Sequence, residues 1–422
     1  MNNLIADVIG DVALILVAAA LLGAVARRLG QPAVAGQILA GILLGPSLLG
    51  HLPGHLTTRL FPHAALPYLN VLAQIAVALF MFSVGYEVNR KAIRRGYRAV
   101  VGVAAAALLV PLLLGAGSTV VFRSDFAALG EHGLKHSYVL FMGVALSITA
   151  LPVLAAIARE HGIAATRSGV AATTAAGIMD VAAWIALAAA LVGTSSGSGR
   201  SWPVTLGLTV AFVVIMLLAV RPVLRWWITR SDAVLTSQLP IALGLTLGSA
   251  WITTALGLHA VFGGLLAGLT MPSRDGTPDP DVLRSMDVVG GALLPVFFIV
   301  TGLSVNLSTL SGDAAVVFVI VFLIATVGKL GPAYLASRAG GLAPREGATV
   351  AVLVNTRGLT ELIALDVGLS AGLIDQRLFS VLVLMALLTT LMTAPLLKLI
   401  RLPEEVASSM NDEQASPAGV QT

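Results

Sequence analysis

Length and composition exclude a water-soluble fold. Of the 422 residues, 57% are hydrophobic and 11% are charged, whereas a soluble protein is about 25% charged. The absence of cysteine excludes disulfides, thiol nucleophiles and cysteine-ligated zinc. The net charge of +4 comes from basic residues scattered between apolar runs, which does not predict nucleic-acid binding.

Apolar segments long enough to cross a bilayer recur along the sequence. A membrane helix needs about 20 apolar residues, and this criterion predicts an all-α polytopic membrane protein with about thirteen transmembrane helices. Asp7 and Asp11 precede the first apolar run, which is therefore predicted to be a membrane helix and not a cleaved signal. The predicted spans cover residues 4–26, 32–49, 68–87, 99–122, 138–158, 167–193, 203–228, 237–254, 257–271, 288–306, 313–338, 346–369 and 377–398.

Basic residues predict the orientation of these spans. With the N-terminus outside, 18 of the 25 Lys and Arg residues fall in cytoplasmic segments, five fall in outer segments and two lie within spans. The positive-inside rule therefore predicts an outer N-terminus and a cytoplasmic C-terminus. The plasma membrane is the expected location. Residues 1–402 are predicted to form the transmembrane domain, and the polar residues 403–422 a disordered cytoplasmic tail.

The fifth predicted span carries a helix-breaking residue within the membrane. Pro152 cannot donate a backbone hydrogen bond, and its ring clashes with the carbonyl one turn earlier. Ser147 and Thr149 lie in that turn. An unwound segment here would present hydroxyl and carbonyl oxygens, which are ligands that suit a monovalent cation. The alternative is a simple proline kink.

The sixth predicted span contains one carboxylate, Asp180, in the sequence GIMDVAAWI. A charged group at this depth is costly and is therefore a functional candidate. Because burial disfavours the ionised form, we expect Asp180 either to take up a proton or to be neutralised by a bound cation. The alternative is an aspartate that hydrogen-bonds to a neighbouring helix for packing.

The eleventh and twelfth predicted spans add further charges. Lys329 lies in the eleventh, and a buried lysine must pair or lose its proton, so a structural ion pair is its alternative role. The twelfth contains the run from Asn355 to Gly358, which is a poor helix interior and predicts a second broken helix. Arg357 and Glu361 are four residues apart and can pair on one helix face, in a functional or a purely structural role.

The order of the spans predicts internal symmetry. If the seventh span is a linker, spans one to six and eight to thirteen form two inverted six-helix repeats. The broken fifth span then corresponds to the broken twelfth, and interrupted helices at matching positions indicate the binding site of a transporter. Asp180 and Lys329 are predicted to lie at that depth. His259, beside a predicted turn, is expected to be a satisfied interfacial residue.

Several of these segments, taken in order, resemble the monovalent cation:proton antiporters. The resemblance is to the branch that holds bacterial potassium-efflux and sodium/proton antiporters and plant cation/proton exchangers, and it runs from about Gln31 to Pro395. The similar segments are QPAVAGQILAGILLGPS, LFMFSVGYE, ALSITALPVLA, GLHAVFGGLLAGL, PVFFIVTGLSV, GKLGP, NTRGLTELI and VLMALLTTLMTAP.

The resemblance implies a homodimer with a dimerisation domain and a mobile core, the core helices lying at about residues 99–193 and 313–398. It also implies that Asp180 binds the cation and the proton, that Lys329 is the family's membrane lysine, and that Ser147 to Thr149 lie where two unwound helices cross. No cofactor, nucleotide or resident metal is expected. Met179 departs from the family, since many relatives carry Asp, Asn or Gln before the ion-binding aspartate, and this favours one-for-one exchange.

The function predicted from the sequence is secondary active antiport, and not enzymatic catalysis. Na⁺ or K⁺ would exchange for H⁺ by alternating access, with both ions competing for Asp180, and the physiological role would be cation and pH homeostasis. The alternative is proton- or cation-coupled transport of an organic solute on the same fold. The choice between Na⁺ and K⁺ depends on sub-ångström cavity size and does not follow from the sequence.

Overall fold

The computed structural model describes residues 2–51, 56–87, 98–127, 136–191, 202–230, 238–272, 278–307 and 312–400. The predicted tail, residues 403–422, lies outside these ranges. Several basic residues of the loops between spans, for example Arg90 and Lys91, lie outside them as well.

The regular elements of the described residues are all helices. A single turn of 3₁₀-helix at Leu49–His51 follows α2, and a π-helical turn at Met216–Val220 joins α10 to α11. The α-helices are α1 (Asn2–Arg28), α2 (Ala33–Leu44), α3 (Leu56–Leu60), α4 (Leu66–Glu87), α5 (Arg98–Val121), α6 (Arg123–Ala127), α7 (His136–Ser147), α8 (Leu151–Glu160), α9 (Arg167–Leu191), α10 (Trp202–Ile215), α11 (Arg221–Arg230), α12 (Gln238–Ala255), α13 (Ala260–Thr270), α14 (Pro280–Leu303), α15 (Asp313–Ala339), α16 (Pro344–Val354), α17 (Leu359–Ser370), α18 (Gln376–Leu391) and α19 (Thr393–Ile400).

Within the described ranges, ten helical segments are long and apolar enough to cross a membrane. The predicted all-α polytopic membrane fold is therefore confirmed. Ten of the thirteen predicted spans coincide with these segments, and the other three coincide with α2, α12 and α13, which have 12, 18 and 11 residues. The count of thirteen crossings stays a prediction. The ten segments are Leu4–Arg28, Leu66–Glu87, Val100–Val121, His136–Glu160, Arg167–Leu191, Gly207–Ile228, Pro280–Leu303, Asp313–Ala339, Pro344–Ser370 and Gln376–Ile400.

A first group of helices, α1, α2, α4 and α12 to α14, packs closely because glycines line its contacts. Gly264 and Gly268 of α13 lie against the backbone of α4, where an added methyl group would collide with the carbonyl oxygens of Ala78 and Phe82. Lipid supplies no hydrophobic driving force between membrane helices, so close backbone approach at small residues supplies the packing energy instead.

A second group, α5, α7 to α9 and α15 to α19, contains all the predicted site residues. Within it α15 packs on α5 and α16, while α9 packs on α7 and α16. The contact between the two groups is mainly apolar. At this boundary the ring of Trp184 meets the ring of Phe262 edge-on at a centroid distance of 6.2 Å, and the Gln31 side chain donates to the Leu391 carbonyl at 3.2 Å.

The packing of α13 on α4 predicts the effect of substituting its glycines. Gly264→Ala should destabilise the protein by about 1–3 kcal/mol, the usual cost of overfilling a well-packed contact. Gly248→Ala is the control, because Gly248 lies on an exposed face of α12 with nothing within 4 Å of an added methyl group. Thermal unfolding in detergent should give a lower Tm for Gly264→Ala only; equal Tm values would contradict the packing.

Candidate functional site

The membrane helix that contains Pro152 is interrupted at its centre. The helix α7 ends at Ser147, residues 148–150 are not helical, and α8 begins at Leu151. Pro152 therefore lies in the first turn of α8, where a missing N–H costs nothing because the first N–H groups of a helix have no intrahelical partner. Ala150 precedes α8 with an extended backbone, at φ −88° and ψ 90°.

A second interruption separates α16 from α17. The helix α16 ends at Val354 and α17 begins at Leu359. Gly358 has a φ of 153°, a conformation that L-residues rarely adopt, and a Cβ atom there would lie 2.8 Å from Cγ2 of Val153. Glycine is therefore required at this position both by the backbone conformation and by the approach of α8.

The two interruptions are hydrogen-bonded to each other. The Ala150 N–H donates to the Thr356 carbonyl at 3.0 Å, and the Thr149 hydroxyl donates to the Val354 carbonyl at 2.9 Å. In the opposite direction the Thr360 hydroxyl donates to the Thr149 carbonyl at 3.2 Å. These bonds satisfy backbone N–H and C=O groups at the two interruptions, for which lipid offers no hydrogen-bond partner. We call this region, residues 147–151 and 354–359, the crossing.

Two buried cations bind the carbonyl end of α7. The Lys329 ammonium donates to the Ser147 and Ile148 carbonyls, both at 2.6 Å. The Arg357 guanidinium donates to the Ala145 carbonyl at 3.0 Å and to the Leu146 carbonyl at 2.5 Å. The last four carbonyls of a helix have no intrahelical partner and carry its negative dipole end, so both cations stabilise the termination of α7 inside the membrane.

The same arginine also forms an ion pair. Its Nη1 lies 2.6 Å from Oε1 of Glu361, one turn along α17, and both side chains are fully buried. The Arg357 backbone is held by Thr390 of α18, whose hydroxyl accepts from the Arg357 N–H at 3.1 Å and lies 2.7 Å from the Arg357 carbonyl. One carboxylate oxygen of Glu361, Oε1, is thus paired with Arg357, while Oε2 has no hydrogen-bond partner among the described residues.

Asp180 differs from Lys329, Arg357 and Glu361 because its carboxylate has no partner among the described residues. It is 3% exposed on α9. Among the described residues neither carboxylate oxygen accepts a hydrogen bond, and no cationic side chain lies within 4.0 Å. Its neighbour Met179 lies against the crossing, with Sδ 4.0 Å from the Thr149 hydroxyl oxygen.

Ser147, Thr149 and Arg357 lie in the crossing, Pro152 directly follows its first segment, and Lys329 donates to its Ser147 and Ile148 carbonyls. The hydrogen bonds of the two hydroxyls were not predicted from the sequence. The Ser147 hydroxyl donates to the Val144 carbonyl at 2.9 Å, and that of Thr149 donates across the crossing. Both oxygens keep lone pairs, so each can still contribute to an oxygen-lined site for a cation.

Two features were missed from the sequence. The amide group of Asn355 is buried, and neither its nitrogen nor its oxygen has a partner in the described part of the chain. His259 caps α13, with Nδ1 accepting from the Val261 N–H at 3.4 Å, and its Nε2 lies 3.4 Å from Oδ2 of Asp366 on α17. In the sequence, this pair was indicated only by the presence of an acidic residue, Asp366, within the twelfth predicted span.

Comparison with known sequences gives a consistent result. The family profile "Sodium/hydrogen exchanger, transmembrane" matches residues 14–399. The chain is 35% identical over 396 residues to Cation/H(+) antiporter 20 of Arabidopsis thaliana, covering 91% of this chain and 47% of that protein. It is 33% identical over 404 residues to Na(+)/H(+) antiporter NhaS4 of Synechocystis sp., covering 94% of this chain and 97% of that protein.

A yeast relative and a solved structure complete the comparison. The chain is 31% identical over 399 residues to K(+)/H(+) antiporter 1 of Saccharomyces cerevisiae, covering 92% of this chain and 45% of that protein. It therefore spans about half the length of the plant and yeast relatives. The fold matches the sodium proton antiporter MjNhaP1 of Methanocaldococcus jannaschii with a TM-score of 0.66 at 15% identity, covering 96% of this chain and 98% of that one.

The two roles of Arg357 predict a partial rescue. Arg357→Met leaves Glu361 as an unpaired buried charge and should cost about 3–5 kcal/mol. Adding Glu361→Leu removes that charge, but the Ala145 and Leu146 carbonyls still lack their donor, so the double variant should recover only part of the lost stability. Thermal unfolding in detergent measures all three proteins, and complete recovery would contradict the role of Arg357 at the end of α7.

Proposed function

The chain belongs to the sodium/hydrogen exchanger family, a family of monovalent cation:proton antiporters, and on this basis we propose that it exchanges Na⁺ or K⁺ for H⁺ across a lipid bilayer. The observation that carries the proposal is the Asp180 carboxylate, which is buried next to Met179, a residue in contact with the crossing, and has no partner among the described residues. A buried carboxylate is strongly disfavoured unless its charge is neutralised, and either a proton or a small bound cation can neutralise it.

In the proposed mechanism the two ions compete for one carboxylate. Asp180 binds either a proton or a cation, and each neutralises its charge. The transition between outward-open and inward-open states moves this group through a low-dielectric barrier, where an unneutralised carboxylate is strongly disfavoured. The empty, charged protein therefore does not change state, and each passage of a cation is coupled to the return of a proton.

The packing of the helices suggests which parts move. The second group, which contains the crossing, would be the mobile core, and the first group the scaffold and the surface of a homodimer. The apolar boundary between them can slide without breaking many polar bonds, whereas the crossing is held by several. The halves containing α7–α8 and α16–α17 would be the inverted repeats. The distribution of basic residues supports an outer N-terminus and a cytoplasmic C-terminus, and the plasma membrane is the location we propose.

The first test of this proposal is the substitution Asp180→Asn. It preserves size and polarity but removes the charge that binds a cation or a proton, so cation-driven proton flux should be lost while the protein remains folded. Proteoliposomes with an acid-loaded lumen and a pH-sensitive dye measure the flux after addition of Na⁺ or K⁺.

Asp11→Asn is the matched control for that substitution. Asp11 is also an aspartate buried in a membrane-spanning helix, but it lies on α1, outside the second group. The control should exchange at the wild-type rate. Exchange retained in Asp180→Asn would contradict the assigned role of Asp180, and a wild-type protein that responds to no monovalent cation would contradict cation antiport and favour an organic substrate.

The position of Lys329 supports one-for-one exchange. Lys329 donates to helix carbonyls and forms no contact pair with Asp180, so one carboxylate alternates between one proton and one monovalent cation. No net charge then moves in a cycle.

A membrane potential alone should consequently drive no proton flux. With equal Na⁺, K⁺ and pH on both sides and a potential of about 100 mV set by a thiocyanate gradient, an electrogenic exchanger would gain about 2.3 kcal/mol per net charge and acidify or alkalinise the lumen. An electroneutral one gives no signal. Lumenal pH in wild-type proteoliposomes distinguishes the two, and a potential-driven change that Asp180→Asn abolishes would contradict one-for-one exchange.

A further inference from the structure

Asn355 is buried in the crossing with an amide group that the protein does not use. Its exposure is 1%, and neither Oδ1 nor Nδ2 has a partner among the described residues. Its backbone N–H donates to the Ala351 carbonyl at 3.2 Å, as expected for the residue that ends α16. Buried polar side chains are nearly always satisfied, and leaving a buried amide unsatisfied destabilises the protein.

The neighbouring polar groups make this amide stand out. The hydroxyls of Thr149, Thr356, Thr360 and Thr390 all donate hydrogen bonds to backbone carbonyls at or beside the crossing. The Asn355 side chain forms no hydrogen bond to the described part of the chain. A structural role for its side chain would require a partner, and the described protein offers none.

Two contacts connect Asn355 with Asp180 across the crossing. The carbonyl of Val354, the residue before Asn355, accepts from the Thr149 hydroxyl at 2.9 Å. The oxygen of that hydroxyl lies 4.0 Å from Sδ of Met179, the residue before Asp180. The helices α16 and α9 also pack directly on each other. Asp180 and Asn355 thus each follow a residue that contacts the Thr149 hydroxyl, and each carries a buried polar group without a partner among the described residues.

We propose that Asn355 is a ligand of the transported cation and that its amide oxygen binds the ion together with the Asp180 carboxylate. This inference rests on the proposed function and adds a second, neutral oxygen to the site. A cation that leaves water must replace several hydration oxygens, and one carboxylate does not replace them all. An amide oxygen contributes coordination without charge, so a site with one carboxylate and one monovalent cation stays neutral.

The test is Asn355→Leu, a substitution of similar size that removes both polar atoms. The apparent KM for Na⁺ or K⁺ should rise about tenfold, the factor for a loss of about 1.4 kcal/mol. The maximal rate at saturating cation should change little, and Tm should stay equal or rise because an unsatisfied buried amide is removed. A purely structural asparagine would give the opposite pattern, a lower Tm with an unchanged KM.

Thr270→Val is the matched control. Thr270 is fully buried at the end of α13, its hydroxyl lacks a partner among the described residues, and it lies in the first group, outside the crossing. The Tm of Thr270→Val should likewise stay equal or rise, and its KM for the cation should be unchanged. If Asn355→Leu is not recovered as monodisperse protein, Asn355→Ala, which cannot overfill the site, is measured against the same criteria.

Each outcome decides the inference separately from the proposed function. Wild-type exchange that is lost in Asp180→Asn, together with an unchanged KM in the Asn355 variant, overturns the ligand role of Asn355 alone. Failure of both Asn355 variants to fold while Thr270→Val folds also overturns it, because that result assigns Asn355 a structural role. Absence of cation-driven flux in the wild type overturns the proposed function, and the inference with it.

Discussion

The neutralisation of the carbonyl end of α7 by Lys329 and Arg357 is the interaction on which the rest of the site depends. A helix that stops inside a membrane exposes carbonyls that lipid cannot satisfy, and each would cost several kcal/mol. Here the carbonyls of residues 145 to 148 are all bound by one ammonium and one guanidinium. With that end stabilised, the chain can remain unwound to Ala150, and the two interruptions can cross and hydrogen-bond.

This arrangement also explains the distribution of buried charge. Both cations are committed to the α7 carbonyls, and one of the two acids, Glu361, is paired with Arg357. Asp180 is left as the only one of these four groups whose charge no contact satisfies. A site with a single uncommitted carboxylate has a simple chemistry, because any small positive guest neutralises it. The unsatisfied amide of Asn355, at the end of the helix packed against α9, would add a neutral coordinating oxygen to this carboxylate.

Rigid and sliding contacts are separated in space. The crossing is stabilised by hydrogen bonds from both unwound segments, so it is expected to move as one unit. The boundary with the first helix group is mainly apolar and is bridged by few polar contacts, among them the pair of His259 with Asp366 at 3.4 Å. Apolar surfaces lose little when one slides over another, whereas buried hydrogen bonds must be broken and replaced. The proposed alternating access requires a rigid unit that can slide against its surroundings, and this combination of hydrogen-bonded and apolar contacts would permit such a motion.

The membrane class, the family, the helical segments and the unusual residues within them could all be predicted from the amino-acid sequence. These follow from hydrophobic run length, from Pro, Gly and polar residues where a membrane helix should have none, and from the cost of charge in lipid. The family match and the all-helical structure confirm the class and the fold, while the count of thirteen crossings stays a prediction. Sequence alone could not assign partners to the buried charges, because Lys329 and Ser147 are 182 residues apart along the chain. The three-dimensional structure was needed to show that Lys329 binds carbonyls, that Asp180 and Asn355 have no partner among the described residues, and that His259 meets Asp366. The reason is that such contacts depend on ångström-scale distances between helices that no local pattern encodes.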